Sequence, residues 1–96
     1  MQVGQTIYNQ LGAGRFSMMT GSKQFVTDTN MLRMKLIRNT SGAGYLQITL
    51  DADDTYTMHF YRIYKLEVKT VTTYSGVYCD MLQEIFTEVT GLYTKF

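Results

Sequence analysis

Hydrophobic and polar residues alternate along the middle of the chain. Leu32, Met34 and Leu36 are apolar, and the residues between them are charged. In a β-strand successive side chains point to opposite faces, so this period of two predicts a strand with one buried and one exposed face. The same alternation recurs at positions 46–50 and 56–61. It indicates a set of half-buried antiparallel strands.

The hydrophobic pattern also fixes how the two later strands pair. If Asp51–Thr55 form the hairpin loop, each apolar residue of one strand lies opposite an apolar residue of the other, whereas a shift of one residue would place polar groups opposite the core. The predicted pairs are Leu50 with Tyr56, Ile48 with Met58 and Leu46 with Phe60 on the inner face, and Thr49 with Thr57, Gln47 with His59 and Tyr45 with Tyr61 on the outer face.

The hairpin that follows leads into a strand predicted over residues 66–73. Leu66 and Val68 face inward only if the loop around Ile63–Lys65 has an odd number of residues, because a two-residue turn would mix the two faces. We therefore expect a loop of about three or five residues. A β-bulge, which inserts one extra residue into a strand, can accompany it.

The last part of the chain has helical periodicity. Apolar residues form one stripe with polar residues opposite, Asp80 suits the positive end of the helix dipole, and Gly91 suits a left-handed stop. The stripe consists of Val77 or Tyr78, Met81, Leu82, Ile85, Phe86 and Val89. The inner-face residues expected beneath this helix are Leu46, Ile48, Met58, Phe60 and Val68.

A shorter helix is predicted at the start, because Val3, Ile7 and Leu11 recur every four residues and Gly12 can end it. The elements expected next are a strand near Arg15–Met19, a turn around Gly21, a strand from about Gln24 and an irregular stretch at Thr27–Asn30.

Together the elements predict one α+β domain over residues 1–96. It comprises an antiparallel meander of about four or five strands, a C-terminal helix on one face and a short N-terminal helix.

Composition narrows the class of protein. The chain has 96 residues, of which 45% are hydrophobic and 18% charged, as expected for one folded domain rather than a disordered chain. No apolar run approaches the roughly 18 residues of a membrane helix, and the first residues lack the regions of a signal peptide. The single cysteine excludes an intrachain disulfide. We therefore expect a cytoplasmic protein with no membrane partner.

Charge is distributed unevenly although the net charge is only +1. Residues 1–50 hold five basic residues and one acidic residue, whereas residues 51–96 hold four basic and seven acidic residues. This asymmetry favours two differently charged faces, which bears on partners rather than on the fold. Eight tyrosines add large side chains with a polar tip. Such side chains suit protein interfaces, and they also suit ordinary β-strands.

Candidate catalytic residues are few. His59 and Cys79 are the only potential base and nucleophile pair, and the predicted register separates them onto opposite sides of the sheet. The carboxylates of Asp51–Thr55 suit a turn, because the glycine and distant glutamate of a calcium loop are missing. The glycines of Gly12–Arg15 and Ser41–Gly44 do not lead from a strand into a helix, as a phosphate loop does. We expect no enzyme activity, no metal and no cofactor.

The outer sheet face is the most promising surface, because it gathers basic and aromatic side chains with Glu67 as its one clear acid. Such a face can stack single-stranded nucleic acid. The alternatives are a solvated face, or one covered by the first helix or by a second subunit. The candidate binding residues are Arg33, Lys35, Tyr45, Gln47, His59, Tyr61 and Lys69.

Several short motifs follow one another from about Leu11 to Tyr93. They are Arg15-Phe16 with Met19-Thr20-Gly21, Lys23 and Phe25; Ile48-Thr49-Leu50 with Asp54-Thr55-Tyr56; Val68-Lys69-Thr70-Val71; and Gly76-Val77-Tyr78, Asp80, Leu82, Phe86 and Thr90-Gly91-Leu92-Tyr93-Thr94. In order and spacing this set resembles a family of short proteins encoded in tailed-phage and prophage genomes of bacteria. The chain departs from the family pattern at Tyr64-Lys65, where a glycine is expected, and at Asn39–Gly44, which lacks an expected proline.

The family has no established activity, so the resemblance transfers no catalytic residue. It implies a small cytoplasmic protein made during infection or from a prophage. The function expected from the sequence is that of a non-enzymatic accessory protein that binds a host or phage protein, or a second copy of itself. Inhibition of a host defence or host process, or a role in assembly, would fit. The alternative is a single-strand nucleic-acid binder that uses the outer face.

Overall fold

The computed structural model describes residues 3–92, so Tyr93 and Thr94 of the last motif lie outside the described residues. In chain order the elements are α1 (Val3–Leu11), α2 (Ala13–Thr20), β1 (Lys23–Thr27), β2 (Met31–Lys35), β3 (Tyr45–Leu50), β4 (Tyr56–Tyr64), β5 (Glu67–Val77), a 3-10 turn (Cys79–Met81) and α3 (Leu82–Thr90). The strands form one antiparallel sheet in the order β1-β2-β3-β4-β5. The predicted α+β class and antiparallel meander are confirmed.

The β3–β4 hairpin adopts the predicted register at every pair. Leu46 lies opposite Phe60 and Ile48 opposite Met58, and these four side chains are fully buried. β2 extends the same buried rows, since Met34 pairs with Leu46. The alternation of apolar residues therefore sets one face of the sheet as the floor of the core.

The three helices cover this inner face. α1 contributes Ile7 and Leu11 to the core, and α2 and α3 contribute Phe16 and Phe86, whose rings meet edge to face with centroids 4.9 Å apart. The Gln83 side chain of α3 donates a hydrogen bond to the Leu11 carbonyl of α1. The first helix thus lies beside the last one, and no element within residues 3–92 covers the outer face. None of the described helices has the length and apolar character to span a bilayer.

The C-terminal helix is confirmed, but its predicted apolar stripe is buried only in part, because Tyr78 and Met81 are 62% and 38% exposed. Leu82 and Phe86 are fully buried, and the helix ends at Gly91, whose φ of 74° allows its N–H to bond to the Thr87 carbonyl. A short 3-10 turn precedes the helix, and Val77 belongs to the end of β5 instead.

The strand predicted near Arg15–Met19 was wrong, because this segment is helix α2. α1 ends immediately before Gly12, as predicted, and α2 follows within two residues. A short apolar run fits a strand and a helix equally well. In the helix, Phe16 packs against Phe86 of α3, a contact between distant segments that no local sequence pattern predicts.

The loop length predicted for the β4–β5 hairpin was also wrong. Tyr64 pairs with Glu67, so only Lys65 and Leu66 form the turn. Both have positive φ, 50° and 66°, which is the pattern of a type I′ turn. Glycine or asparagine usually occupies these positions, so the turn was not recognisable from its residues.

A β-bulge resolves the conflict of faces that a two-residue turn creates. Tyr61 pairs with Thr70 but Phe60 pairs with Thr72, so Val71 is the extra residue in β5. Val71 packs against the core. The bulge therefore changes which residues of β5 face inward. After it, Thr72 lies opposite the buried Phe60, whereas before it Lys69 lies opposite Arg62.

The end of the hairpin before the bulge is exposed. Leu66 and Val68, both predicted to face inward, are 98% and 61% exposed. Val68 consequently does not lie beneath α3. The error has one cause: apolar residues were assigned to the core, although the hairpin extends beyond the part of the sheet that the helices cover.

Gly4 permits the close approach of α1 to the β1–β2 turn. A Cβ at Gly4 would lie 2.4 Å from the Met31 carbonyl oxygen and 2.8 Å from the Asp28 backbone nitrogen. We expect Gly4→Ala to lower the free energy of unfolding by more than about 1 kcal/mol, because backbone atoms must move apart. Urea denaturation measures this change.

Gly14→Ala is the matched control, since Gly14 lies in α2 with no atom within 4 Å of an added Cβ. It should raise the free energy of unfolding by about 0.5–1 kcal/mol, because alanine favours the helix more than glycine does. A Gly4→Ala variant as stable as Gly14→Ala would contradict the packing of α1.

Candidate functional site

Six of the seven predicted binding residues share the outer face of β2, β3 and β4. They form two rows across the three strands, Lys35–Tyr45–Tyr61 and Arg33–Gln47–His59. Neighbours in a row are directly opposed residues of adjacent strands, the closest side-chain neighbours that a sheet offers. The structure therefore brings these six residues together, as predicted.

Lys69, the seventh residue, lies on the other face and was misplaced. It pairs with Arg62, which lies on the inner-face side of β4. Its ammonium group is 3.2 Å from the Glu67 carboxylate, so Glu67 also leaves the outer face. The wrong loop length caused this error. Thr70 occupies the outer face instead, with its hydroxyl 2.9 Å from His59 Nε2.

Three aromatic side chains form a stack on the outer face. The Tyr45 and Tyr61 rings lie 5.4 Å apart with 14° between their planes, and the His59 ring lies 5.0 Å from Tyr61 at 31°. Tyr61 is only 8% exposed. Tyr45 is the cross-strand neighbour of Tyr61, and His59 lies two residues away on the same strand, so the two rings cover both faces of the central Tyr61 ring.

The Tyr61 hydroxyl remains protonated over the physiological pH range. Burial raises the pKa of Tyr61 above its ordinary value, and the nearby Arg33 guanidinium lowers it again in part. A protonated hydroxyl can both donate and accept a hydrogen bond. The Tyr61 hydroxyl and the neighbouring Arg33 guanidinium together place polar groups beside the aromatic stack.

A shallow depression of about 350 Å³ lies beside the stack. None of the residues that line it is acidic, and Arg33 and Lys35 are cationic. Lys23 pairs with Lys35 across the β1–β2 ladder and adds a third positive charge to this region. The residues of the lining are Gln24, Val26, Arg33, Met34, Lys35, Tyr45, Tyr61 and Ile63. The depression is therefore a basic and aromatic surface.

Sequence reasoning missed the contribution of β1 to this depression. The pairing of β1 with β2 shifts between Lys23 and Val26, and Gln24 has a φ of 55°. This irregularity places both Gln24 and Val26 in the lining. Since β1 has no clear alternation, no signal in the sequence identified either residue.

The structure does not bring His59 and Cys79 together. His59 lies on the outer face, whereas Cys79 begins the turn that leads into α3 on the inner side. Within residues 3–92, no cluster of histidine, cysteine, aspartate or glutamate side chains is placed to hold a metal ion. In the β3–β4 loop the Thr55 hydroxyl and N–H donate to the Asp53 carboxylate and lower its pKa. That is turn chemistry, as predicted.

A second depression, of about 510 Å³, is formed by residues 36–44 between β2 and β3. The Asn39 amide donates to the carbonyls of Ile37 and Ala43, and the Thr40 hydroxyl donates to the Thr90 carbonyl. These side chains are engaged in holding the loop and attaching it to α3. We assign this depression a structural role.

Comparison of the chain with protein-family models, with curated proteins and with solved structures gives no match in any of the three. The resemblance to phage and prophage proteins therefore stays a prediction from its motifs. The site has to be interpreted from its own geometry.

The raised pKa of Tyr61 gives a pH dependence of stability. The folded state retains the phenolic proton where the unfolded chain has lost it, so the free energy of unfolding should fall as pH rises above about 10. Tyr61→Phe removes the ionisable group and should make this fall less steep. Urea denaturation at neutral and alkaline pH measures the effect.

Tyr56→Phe is the companion variant, because burial also raises the pKa of Tyr56, whose hydroxyl bonds to Gln10. Each variant should remove part of the alkaline loss of stability. An identical pH dependence for wild type and Tyr61→Phe would contradict the burial of this hydroxyl.

Proposed function

We propose that this chain is a small non-enzymatic accessory protein that binds another protein through the outer face of its sheet. The observation that carries the proposal is the pair of cross-strand rows, Lys35–Tyr45–Tyr61 and Arg33–Gln47–His59. They lie on a face that no helix of the described chain covers. Tyrosine and arginine are the residue types that contribute most to protein interfaces.

The arrangement of the rings favours a protein partner over a nucleic acid. Bases stack on exposed ring faces, but the faces of Tyr61 are covered by Tyr45 and His59. Apart from the outward faces of the two end rings, Tyr45 and His59, the stack presents ring edges, tyrosine hydroxyls and the neighbouring Gln47 amide. These groups match the backbone and side-chain polar atoms of a protein surface.

Charge indicates what kind of protein surface would bind. Lys23, Arg33 and Lys35 make the β1–β2 side of the outer face positive, so an acidic patch is the complementary partner. Glu84 and Glu88 lie on α3, on the opposite side of the molecule. An acidic partner is attracted by one side and repelled by the other, which orients the encounter.

The motif resemblance supplies the setting for this proposal. A small protein made in the bacterial cytoplasm during infection or from a prophage would act on a host protein or on another phage protein. Inhibition of a host defence or host process fits a binding surface without catalytic groups, and so does a role in assembly. The partner identified by the experiment below would distinguish these roles.

Charge reversal on each side of the protein tests the proposal. Tagged wild type should retain an acidic partner from the cells that make the protein, and the double variant Arg33→Glu with Lys35→Glu should lose it by about tenfold or more. Arg33 is exposed and Lys35 half-buried, and neither belongs to the core, so the fold should persist. Quantitative mass spectrometry of the retained proteins measures the ratio.

The matched control reverses two charges on α3, Glu84→Lys with Glu88→Lys. It should retain the same partner as wild type. Equal retention by both double variants, or loss only in the α3 variant, would contradict binding through the outer face.

Single-stranded nucleic acid is the second candidate, favoured by the three cations beside the aromatic depression. On the account above, a short labelled oligonucleotide should bind only weakly at low salt, and binding should disappear near physiological salt. Fluorescence anisotropy measures this directly. Tight binding that persists at physiological salt and is lost in Lys35→Ala with Tyr45→Ala would favour nucleic acid instead.

A further inference from the structure

The exposed end of the β4–β5 hairpin is a second unexplained surface, which adjoins the outer face of the central strands at Ile63. Four large apolar side chains project from it: Ile63 is 52% exposed, Tyr64 58%, Leu66 98% and Val68 61%. The turn between the strands holds Lys65 and Leu66 at positive φ, which is a strained conformation for both residues. Exposed apolar side chains on a well-formed hairpin mark a surface for contact.

The hairpin also carries an open strand edge. β5 is 11 residues long and lies at the end of the sheet, so no other strand within residues 3–92 pairs with its far side. In a two-residue hairpin the residues that flank the turn, here Tyr64 and Glu67, exchange both backbone hydrogen bonds. The N–H and C=O of Val68 therefore point away from β4, where they can bond to a further strand.

We propose that this edge pairs with the same edge of a second copy of the chain, antiparallel and centred on Val68. The two Val68 residues would exchange their outward N–H and C=O groups. Glu67 of each copy would then lie opposite Lys69 of the other, since the two residues are equally spaced about Val68. This pairing is isologous, as a twofold dimer requires.

In this register the charges of the two β5 strands are complementary, whereas within one copy Lys69 lies opposite another cation. Lys69 lies directly opposite Arg62 in the β4–β5 ladder, a like-charge pair that destabilises a sheet. Its only described ion pair is with Glu67 of its own strand, at 3.2 Å. In the dimer, Glu67 of the second copy would flank Lys69 on its open side. Opposed residues of this type, outside the hydrogen-bonded pairs, have the closer side chains.

The apolar side chains would become continuous in the same register. Ile63 pairs with Val68 within one copy, so the joined sheets would carry the row Ile63–Val68–Val68–Ile63 across four strands. Ile63 and Val68, which are exposed in the monomer, would cover each other in this row. Hydrophobic contact and charge complementarity thus favour one and the same alignment.

The bulge at Val71 limits the contact. It interrupts the straight edge after Thr70, so pairing is confined to residues 66–70. Such a contact is smaller than the roughly 800 Å² per partner of a stable interface, and we expect a dimer that forms as protein concentration rises. The inference does not depend on the proposed function, because the edge pairing uses none of the six residues in the two outer-face rows, although Ile63 also lines the basic depression.

Charge exchange at two exposed positions tests the register. The Lys69 and Glu67 side chains are 50% and 70% exposed, so substitution should leave the fold intact, as circular dichroism can verify. Light scattering over a concentration series should show wild type approaching twice the monomer mass. Lys69→Glu alone and Glu67→Lys alone each place like charges opposite each other twice, and should weaken association by about tenfold or more.

Two combinations should restore association. The double variant Glu67→Lys with Lys69→Glu regains opposite charges in every pair, and an equimolar mixture of the two single variants forms a complementary heterodimer. The outer-face variant Arg33→Glu with Lys35→Glu should associate like wild type. A wild type that stays monomeric at every concentration, association unaffected by Lys69→Glu, or failure of the mixture to associate would overturn the proposal.

Discussion

Alternating apolar residues in β2, β3 and β4 are the constraint on which the rest of the structure depends. Because side chains in a strand alternate between faces, burying Leu46, Ile48, Met58 and Phe60 on one side commits every residue between them to the other. The inner side then needs a cover, which the three helices provide. The two polar rows on the outer side are a consequence of the same pairing that builds the core.

This division also separates the molecule electrically. The basic residues near the start of the sheet share the outer face, whereas the acidic residues of α3 lie beyond the helical layer. The charged side chains of both surfaces lie outside the core, so they can contact a partner without disturbing its packing. The end of the β4–β5 hairpin is a third surface, because it extends beyond the part of the sheet that the helices cover. The bulge at Val71 lies between this exposed end and the part of β5 that packs on the core.

The parts of the fold that followed from sequence are those where many residues constrain one another. Six residue pairs agree on a single register for β3 and β4, so both the register and the six residues of the outer face were predictable. β5 lacked this redundancy, because no element within residues 3–92 packs on its exposed end. The apolar character of Leu66 and Val68 predicts burial, but both are exposed, and Lys69 consequently lies on the other face of the sheet.

The remaining errors have the same physical origin. The apolar run of α2 is short and fits a strand as well as a helix, and in the helix Phe16 packs against Phe86 of the distant α3. The lining contributed by Gln24 and Val26 depends on an irregular pairing of β1. The conformations of α2 and β1 depend on contacts between distant segments, which local sequence patterns do not predict.

Carbene footprinting of the purified protein, and of the same protein in an extract of the cells that make it, tests the central claim most directly. Labelling around Arg33, Tyr45 and Gln47 should fall in the extract, while labelling of Glu84 and Glu88 on α3 should not change. Protection of α3 with an unchanged outer face, or no protection on either side, would contradict the account.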